Sequence, residues 1–329
     1  MKKNEKLLST TESVEDLFEI VELKDRASEH LDIEPYSYWK AVAKEFFKKK
    51  IAIFALVSLV IVALLSIFVP LLSTHDPRLV IIEPSAQFIK PTIFNIFNPE
   101  LPNSEFFTHI FGTNKTGADI WTRVWYGARI SMFIAIIVAT LNMINGVIIG
   151  TMWGYFKKLD RIMIEVHNFI ANVPALLYQM LLLYVLRSSV PTLIFIFTIT
   201  GWLGTARSIR NLIIIYSNRE YNIASRTLGT PAGRIIIHNL LPYILTVIIT
   251  NFALSIPAVI SAEVGLTYLG LGLPPGSISL GSVLKEGYPY FVSQPFVLFL
   301  PALVAGSITV IFYQIGLALA DAMDPKNHR

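Results

Sequence analysis

The sequence predicts an all-α membrane protein with six transmembrane helices and both termini in the cytoplasm. Three observations carry this. The 329-residue chain is 53% hydrophobic and only 15% charged, against about a quarter charged in soluble domains. Its apolar residues gather into runs that reach the ~20 residues needed to cross a bilayer core. Lys and Arg collect beside alternate ends of those runs, as cytoplasmic connections require.

The elements follow in chain order. Residues 1–50 form a cytoplasmic leader. Within it, "SVEDLFEIVELKD" offers Ser13 and Asp16 as a capping pair before Leu17, Phe18, Ile20 and Val21, the pattern of a short amphipathic helix. That helix either docks on a partner, lies at the membrane surface or is simply solvated. The first span, 51–72, has no charge. It begins after some fifty mostly polar residues, which marks it as an uncleaved membrane helix and not a processed leader. Residues 73–129 read as an extracellular loop rich in Pro, Asn and aromatics, and 130–329 as a core of five further spans. These are 130–156, 162–186, roughly 190–211, about 240–262 and about 294–320. Pro174, Pro257 and Pro301 fall inside spans and should kink them, since each removes a backbone donor.

Orientation rests on the basic residues. Lys44, Lys48, Lys49 and Lys50 precede the first span, "KKLDR" (157–161) follows the second, and Arg210, Arg219, Arg226 and Arg234 flank the fourth connection. The connection 264–293 has a single basic residue, Lys285. The loop 73–129 has five, but long loops count little. Trp121, Trp125 and Tyr126 read as an interfacial belt.

Composition also excludes functions. With no Cys, disulfides and Cys-ligated metals are absent. A net charge of +4 is explained by basic residues flanking membrane spans and needs no nucleic acid. "GTNKTGAD" (112–119) has the glycine spacing of a phosphate loop but ends in Ala-Asp where Lys-Ser/Thr is required. The six His are scattered without metal-ligand spacing, and no G-x-S-x-G stands beside a base. The sequon Asn114-Lys115-Thr116 offers a formal glycan acceptor. Glu165 and His167 sit near the inner end of the third span, within reach of water and suited to a structural role.

One stretch stands apart. "EYNIASRTLGTPAGRIIIHNLLP" (220–242) is polar for most of its length between two apolar runs. Glu220 suits the positive end of a helix dipole. Ile223, Ala224, Thr227 and Leu228 can share a face, Gly229 supplies a stop where positive φ is commonly needed, and Pro231 opens a second helix. The spacing describes a short helix held off the bilayer, a sharp turn and a helix leading back. It fits either a rigid knob offered to a cytoplasmic partner or a connector between two spans.

Residues Glu220, Ala224, Gly229, Ile235, His238, Leu241 and Pro242 match the EAA loop of binding-protein-dependent ABC importer permeases, here at about 217–240. Tyr221 and Asn222 replace the family's commoner Ala-Ala, a form similar to the peptide-transporter branch. "FGTNKTGADIWTRVWYGARIS" (111–131), "GWLGTARSIR" (201–210), "AEVGLTYLGLGLPP" (262–275) and "LADAMDPKNHR" (319–329) resemble the C-type subunit of oligopeptide and dipeptide permeases. The lead-in "EPYSYWKAV…KKK" (34–50) is similar to that of oligopeptide permeases of lactic-acid-type Gram-positive bacteria.

The resemblance implies a type I ABC importer permease fold in a bacterial plasma membrane. It implies a heterodimer with a B-type permease subunit, two ABC ATPase subunits, an extracellular peptide-binding lipoprotein, a peptide substrate and surrounding membrane lipids. ATP and Mg would be held by the ATPase subunits, with no cofactor, metal or catalytic residue on this chain. Glu220, Tyr221, Ala224, Ser225, Arg226, Leu228 and Gly229 are then the coupling helix that seats in an ATPase groove. Glu263 matches a position where the family often has an acid, and an ionisable group in a span is a candidate for a pathway or gating role. A dipeptide or nickel importer is the nearest alternative. An ion-coupled secondary transporter would need charged residues in mid-span, and the centres of these spans have almost none.

Overall fold

The computed structural model describes residues 38–78, 83–95, 108–274 and 276–324. The amphipathic leader segment at 13–25 therefore lies outside the described residues. The chain divides into two units, Met1–Ala41 and Val42–Arg329.

The described residues are helical apart from short connections. Helix α1 spans Tyr38–Lys48. The membrane-length helices are α2 (Lys50–Leu72), α3 (Ile120–Tyr155), α6 (Val190–Ser217), α8 (Ala232–Tyr268) and α10 (Phe296–Met323). Between α3 and α6 stand α4 (Lys157–Ala171) and α5 (Ala175–Leu186), which meet at 78°. Two short helices complete the set, α7 (Glu220–Thr227) and α9 (Leu280–Gly287).

Five of the six expected spans are single long helices; the third is not. The run 162–186 is broken at Asn172–Pro174, and Pro174 caps α5 at φ −54°, ψ 125°. Pro cannot donate to the preceding turn and biases its predecessor away from helix, so the ladder ends there. Pro257 and Pro301, by contrast, stay inside helices that continue past them. The second span also differs from its reading. The apolar run starts at Ile130, but the helix starts at Ile120, where the Asp119 carboxylate accepts from Thr122 N–H at 2.8 Å. Its polar first turns are held by protein. Arg123 is buried and pairs with Glu286 of α9 at 2.6 Å.

Small residues set the tightest packing. Gly146, Gly150 and Gly154 recur at every fourth position of α3 and lie against Thr205, Ala206 and Ile213 of α6. A Cβ on Gly150 would come within 2.5 Å of the Ala206 carbonyl oxygen. Such contacts let backbones approach where lipid offers no hydrophobic drive between helices.

The two ends of the bundle have different character. At one end Lys49 pairs with Asp321 at 2.8 Å, and Arg210 grips Asp160 through two nitrogens while lying over Trp153. At the opposite end, "GTNKTGAD" closes on itself: Thr116 and Ala118 N–H groups donate to Asn114 Oδ1 at 2.9 Å. Asn114 is buried and its Nδ2 donates to Glu286, which leaves no room for a glycan. Trp125 is buried beside Trp121, and Tyr126 Oη accepts from Arg78 at 2.8 Å. These aromatics pack against protein, with Trp121 also edge-on to Phe111.

Candidate functional site

The polar stretch between α6 and α8 folds as two helices around a turn. Helix α7 starts at Glu220 and ends in a Schellman turn: Thr230 N–H donates to Ser225 O and Gly229 N–H to Arg226 O, both at 3.1 Å. These bonds satisfy carbonyls a helix end otherwise leaves open. Gly229 sits at φ 82° in open space, a region in which only glycine is unstrained. Pro231 serves as the N-cap of α8 and not within its first turn. Residues Ile235–Leu240 of α8 form a π-helical segment.

Asn222 is the one buried residue of α7. Its Nδ2 donates to Tyr216 O at 2.9 Å and its Oδ1 accepts from Asn239 Nδ2 at 3.0 Å. Both ends of the amide are thus engaged by the two flanking spans. Arg226 adds a second tether, donating to Ser217 O at 3.3 Å with its guanidinium over Tyr155. Tyr221 lies against Tyr243, which in turn stacks on Tyr216. Desolvation pushes the Tyr221 phenol above its ordinary value, and Tyr243 adds to the shift. Beneath, Ile209, Ile213, Ile235, Leu240 and Ile244 form a buried cluster.

The rest of α7 faces outward. Glu220, Tyr221, Ile223, Ala224 and Arg226 are exposed, Ser225 is half-buried with its hydroxyl on Tyr221 O, and Leu228 is 86% exposed. Of the seven residues singled out in the sequence, five lie on this helix, Leu228 is its C-cap and Gly229 follows in the turn. Asn222 and Asn239, which hold it, were missed. Their signal is a polar residue on the face opposite the exposed one.

Glu263 occupies the other end of the bundle and is 1% exposed. Its Oε1 accepts from Thr267 at 2.9 Å and Ser279 at 2.7 Å, and its Oε2 from Ser131 at 2.8 Å. Ser131 Oγ in turn accepts from Leu280 N–H at 3.1 Å. One carboxylate therefore joins α8, α3 and the start of α9. At the other end of α9, Glu286 is held by Arg123 and Asn114. Glu165 is exposed on α4, while His167 is buried against Trp153. Among the described residues there is no cluster of His, Asp and Glu able to hold a metal ion.

An all-helical membrane bundle with a short exposed helix on a polar tether is the arrangement of a transport permease. Residues 146–329 match the family described as binding-protein-dependent transport system inner membrane component, and residues 37–91 match the N-terminal TM domain of oligopeptide transport permease C. The chain belongs to this family of inner membrane transport components. It is 37% identical to the oligopeptide transport system permease protein AmiD of Streptococcus pneumoniae over 95% of this chain and 97% of that protein. It is 34% identical to OppC, an oligopeptide permease of Bacillus subtilis, over 91% and 93%. It is 33% identical to DppC, a dipeptide permease of the same organism, over 93% and 91%.

Proposed function

We propose that this chain is the C-type membrane subunit of an ATP-driven importer of oligopeptides. The observation that carries the reading is α7: eight residues long, outward-facing on most of its surface, and fixed to both adjacent spans through Asn222. A helix so held passes a push at its exposed face directly to α6 and α8. On this reading ATP and Mg bind to two partner ATPase subunits, each with a groove for one such helix, and this chain performs no chemistry. A B-type permease completes the pathway, and an extracellular lipoprotein delivers the peptide. The α7 end is then cytoplasmic, in keeping with the Lys and Arg gathered there. Glu263 acts on the outer side as a positioning residue that holds α9 against α3 and α8.

The test is reconstitution of the complex with its partner permease, both ATPases and the binding protein in proteoliposomes. ATP-dependent uptake of oligopeptides is the expected result, with hydrolysis stimulated by the loaded binding protein. Uptake driven by an ion gradient without ATP would overturn it. Uptake confined to dipeptides would move the chain to the dipeptide branch.

A further inference from the structure

Helix α6 carries a charged residue within the inner end of its apolar run. Arg207 lies four residues, about 6 Å at 1.5 Å per residue, inside the end of that run near 211. Its level is fixed by α3, whose Gly150 lies against the neighbouring Ala206, still within the apolar run that precedes Lys157. Arg207 is exposed and makes no hydrogen bond or ion pair with the described residues. One turn nearer the cytoplasm, Arg210 is half-buried and held by Asp160. Gly204 and Asn211, on the same face as Arg207, are also exposed, and nothing lies within 4 Å of a Cβ on Gly204. Side chains leave a helix tilted toward its N-terminus, which for α6 is the outer end. The Arg207 stem thus starts into the membrane and away from the cytoplasmic surface.

A second observation falls beside the first. At the elbow between α4 and α5 the backbone ladder stops with Val173 N–H to Ile170 O and restarts with Leu177 N–H to Pro174 O. Asn172, Val173 and Pro174 are all exposed. The Tyr178 hydroxyl of α5 is bonded to the Thr200 hydroxyl of α6. Pro174 lies one turn inward of Tyr178, as Gly204 lies one turn inward of Thr200, so the elbow and Gly204 share a level. Irregular backbone at membrane depth is tolerated only against protein or water, and an unpaired guanidinium is costly in hydrocarbon. Broken helices mark substrate paths in other transporters for the same reason.

We propose that the elbow Asn172–Pro174 together with Gly204, Arg207 and Asn211 lines the water-filled path of the peptide, and that Arg207 receives its carboxylate groups. The proposal rests on the peptide-import reading above. Every free peptide has a C-terminal carboxylate, and the planar guanidinium fork matches that group through two parallel hydrogen bonds. A partner subunit with an acid could also cover this face, and Asn211 Oδ1 already accepts from Arg210 at 3.0 Å; water reactivity separates that dry interface from a path.

The chain has no Cys, so single cysteines can report water directly. In the assembled complex, Asn172→Cys, Gly204→Cys and Arg207→Cys are exposed to a water-soluble methanethiosulfonate, with Val60→Cys on α2 as the apolar control. All three should react, and the control should not. Silence at Asn172→Cys and Gly204→Cys would overturn the path. Reaction at Arg207→Cys alone would overturn it too, by showing an arginine reaching the inner headgroups. Labelling needs no transport, so a complex that fails to import peptide sinks the import reading and leaves this result standing.

The ligand is tested by uptake of one peptide as its free acid and as its C-terminal amide, each normalised to its affinity for the binding protein. Arg207→Glu should depress the free acid at least about tenfold more than the amide, by reversing the local field. Arg207→Lys should keep most of the difference. Equal losses for acid and amide would remove the carboxylate role.

Discussion

Asn239 Nδ2 donates to Asn222 Oδ1 at 3.0 Å, which joins the π-helical foot of α8 to the one buried side chain of α7. The same Asn222 amide reaches back to Tyr216 O of α6. The exposed helix is therefore hinged to both spans by one residue. Replacing Asn222 with Ala leaves the half-buried Asn239 amide without its partner, while the Tyr216 carbonyl keeps the Arg219 N–H at 3.1 Å. The cost is about 0.5–1.5 kcal/mol for each bond lost. We expect Asn222→Ala to lower peptide uptake while ATP hydrolysis persists, because the push on α7 no longer moves the spans. Asn239→Ala should do less, and the double variant should be less than additive, as for residues sharing one bond. Strictly additive losses in uptake would show that the two side chains do not act together.

Gly229 offers a cleaner probe of the turn. No atom would meet a side chain there, yet φ is 82°. Any penalty is thus backbone strain, about 1–3 kcal/mol for a β-branched residue held in that region. Gly229→Val should misdirect α7 and reduce both uptake and peptide-stimulated hydrolysis. Gly229→Asn should be milder, since Asn visits this conformation more readily. The check is uptake and hydrolysis in lipid for both variants. Equal behaviour of Val and Asn would remove strain as the cause.

Much of this was legible in the sequence, and the exceptions share a cause. The apolar runs announce the long helices by length alone, and Gly229 followed by Pro231 announces the turn. What could not be read depends on contacts between distant segments. The polar first turns of α3 looked like loop because Glu286, which pairs with Arg123, lies far along the chain. Ser131, Thr267 and Ser279 carry no short-range sign that they converge on Glu263. The break at Asn172–Pro174 lies inside a run apolar enough to pass as one span, and hydropathy does not record the 78° bend.

The glycine row on α3 should be intolerant of bulk. Gly150→Val would drive a side chain into the Ala206 backbone, and overpacking of this kind costs about 1–3 kcal/mol. The expected result is a lower melting temperature for the purified complex and weaker α3–α6 packing. Gly204→Val, on the same scale of bulk but with open space around it, should leave the melting temperature unchanged. A Gly150→Val complex as stable as the parent would mean that the two helices have room to separate.

Glu263 divides a structural from an electrostatic role by substitution. Glu263→Ala removes the acceptor for Thr267, Ser279 and Ser131 at once, whereas Glu263→Gln keeps one oxygen for two of the three. The Gln amide can still donate to Ser131 Oγ, which already accepts from Leu280 N–H and has a second lone pair. Holding α9 in place should therefore survive Gln far better than Ala. The readout is a cysteine at Val283, a buried position of α9, probed from outside with an impermeant thiol reagent. Labelling should be slow in the Val283→Cys parent and in its Glu263→Gln derivative, and at least about tenfold faster with Glu263→Ala if one orphaned buried bond of ~1.4 kcal/mol or more governs opening. Equally slow labelling in all three would show that Arg123 and Asn114, at the Glu286 end, suffice to hold α9 without the carboxylate.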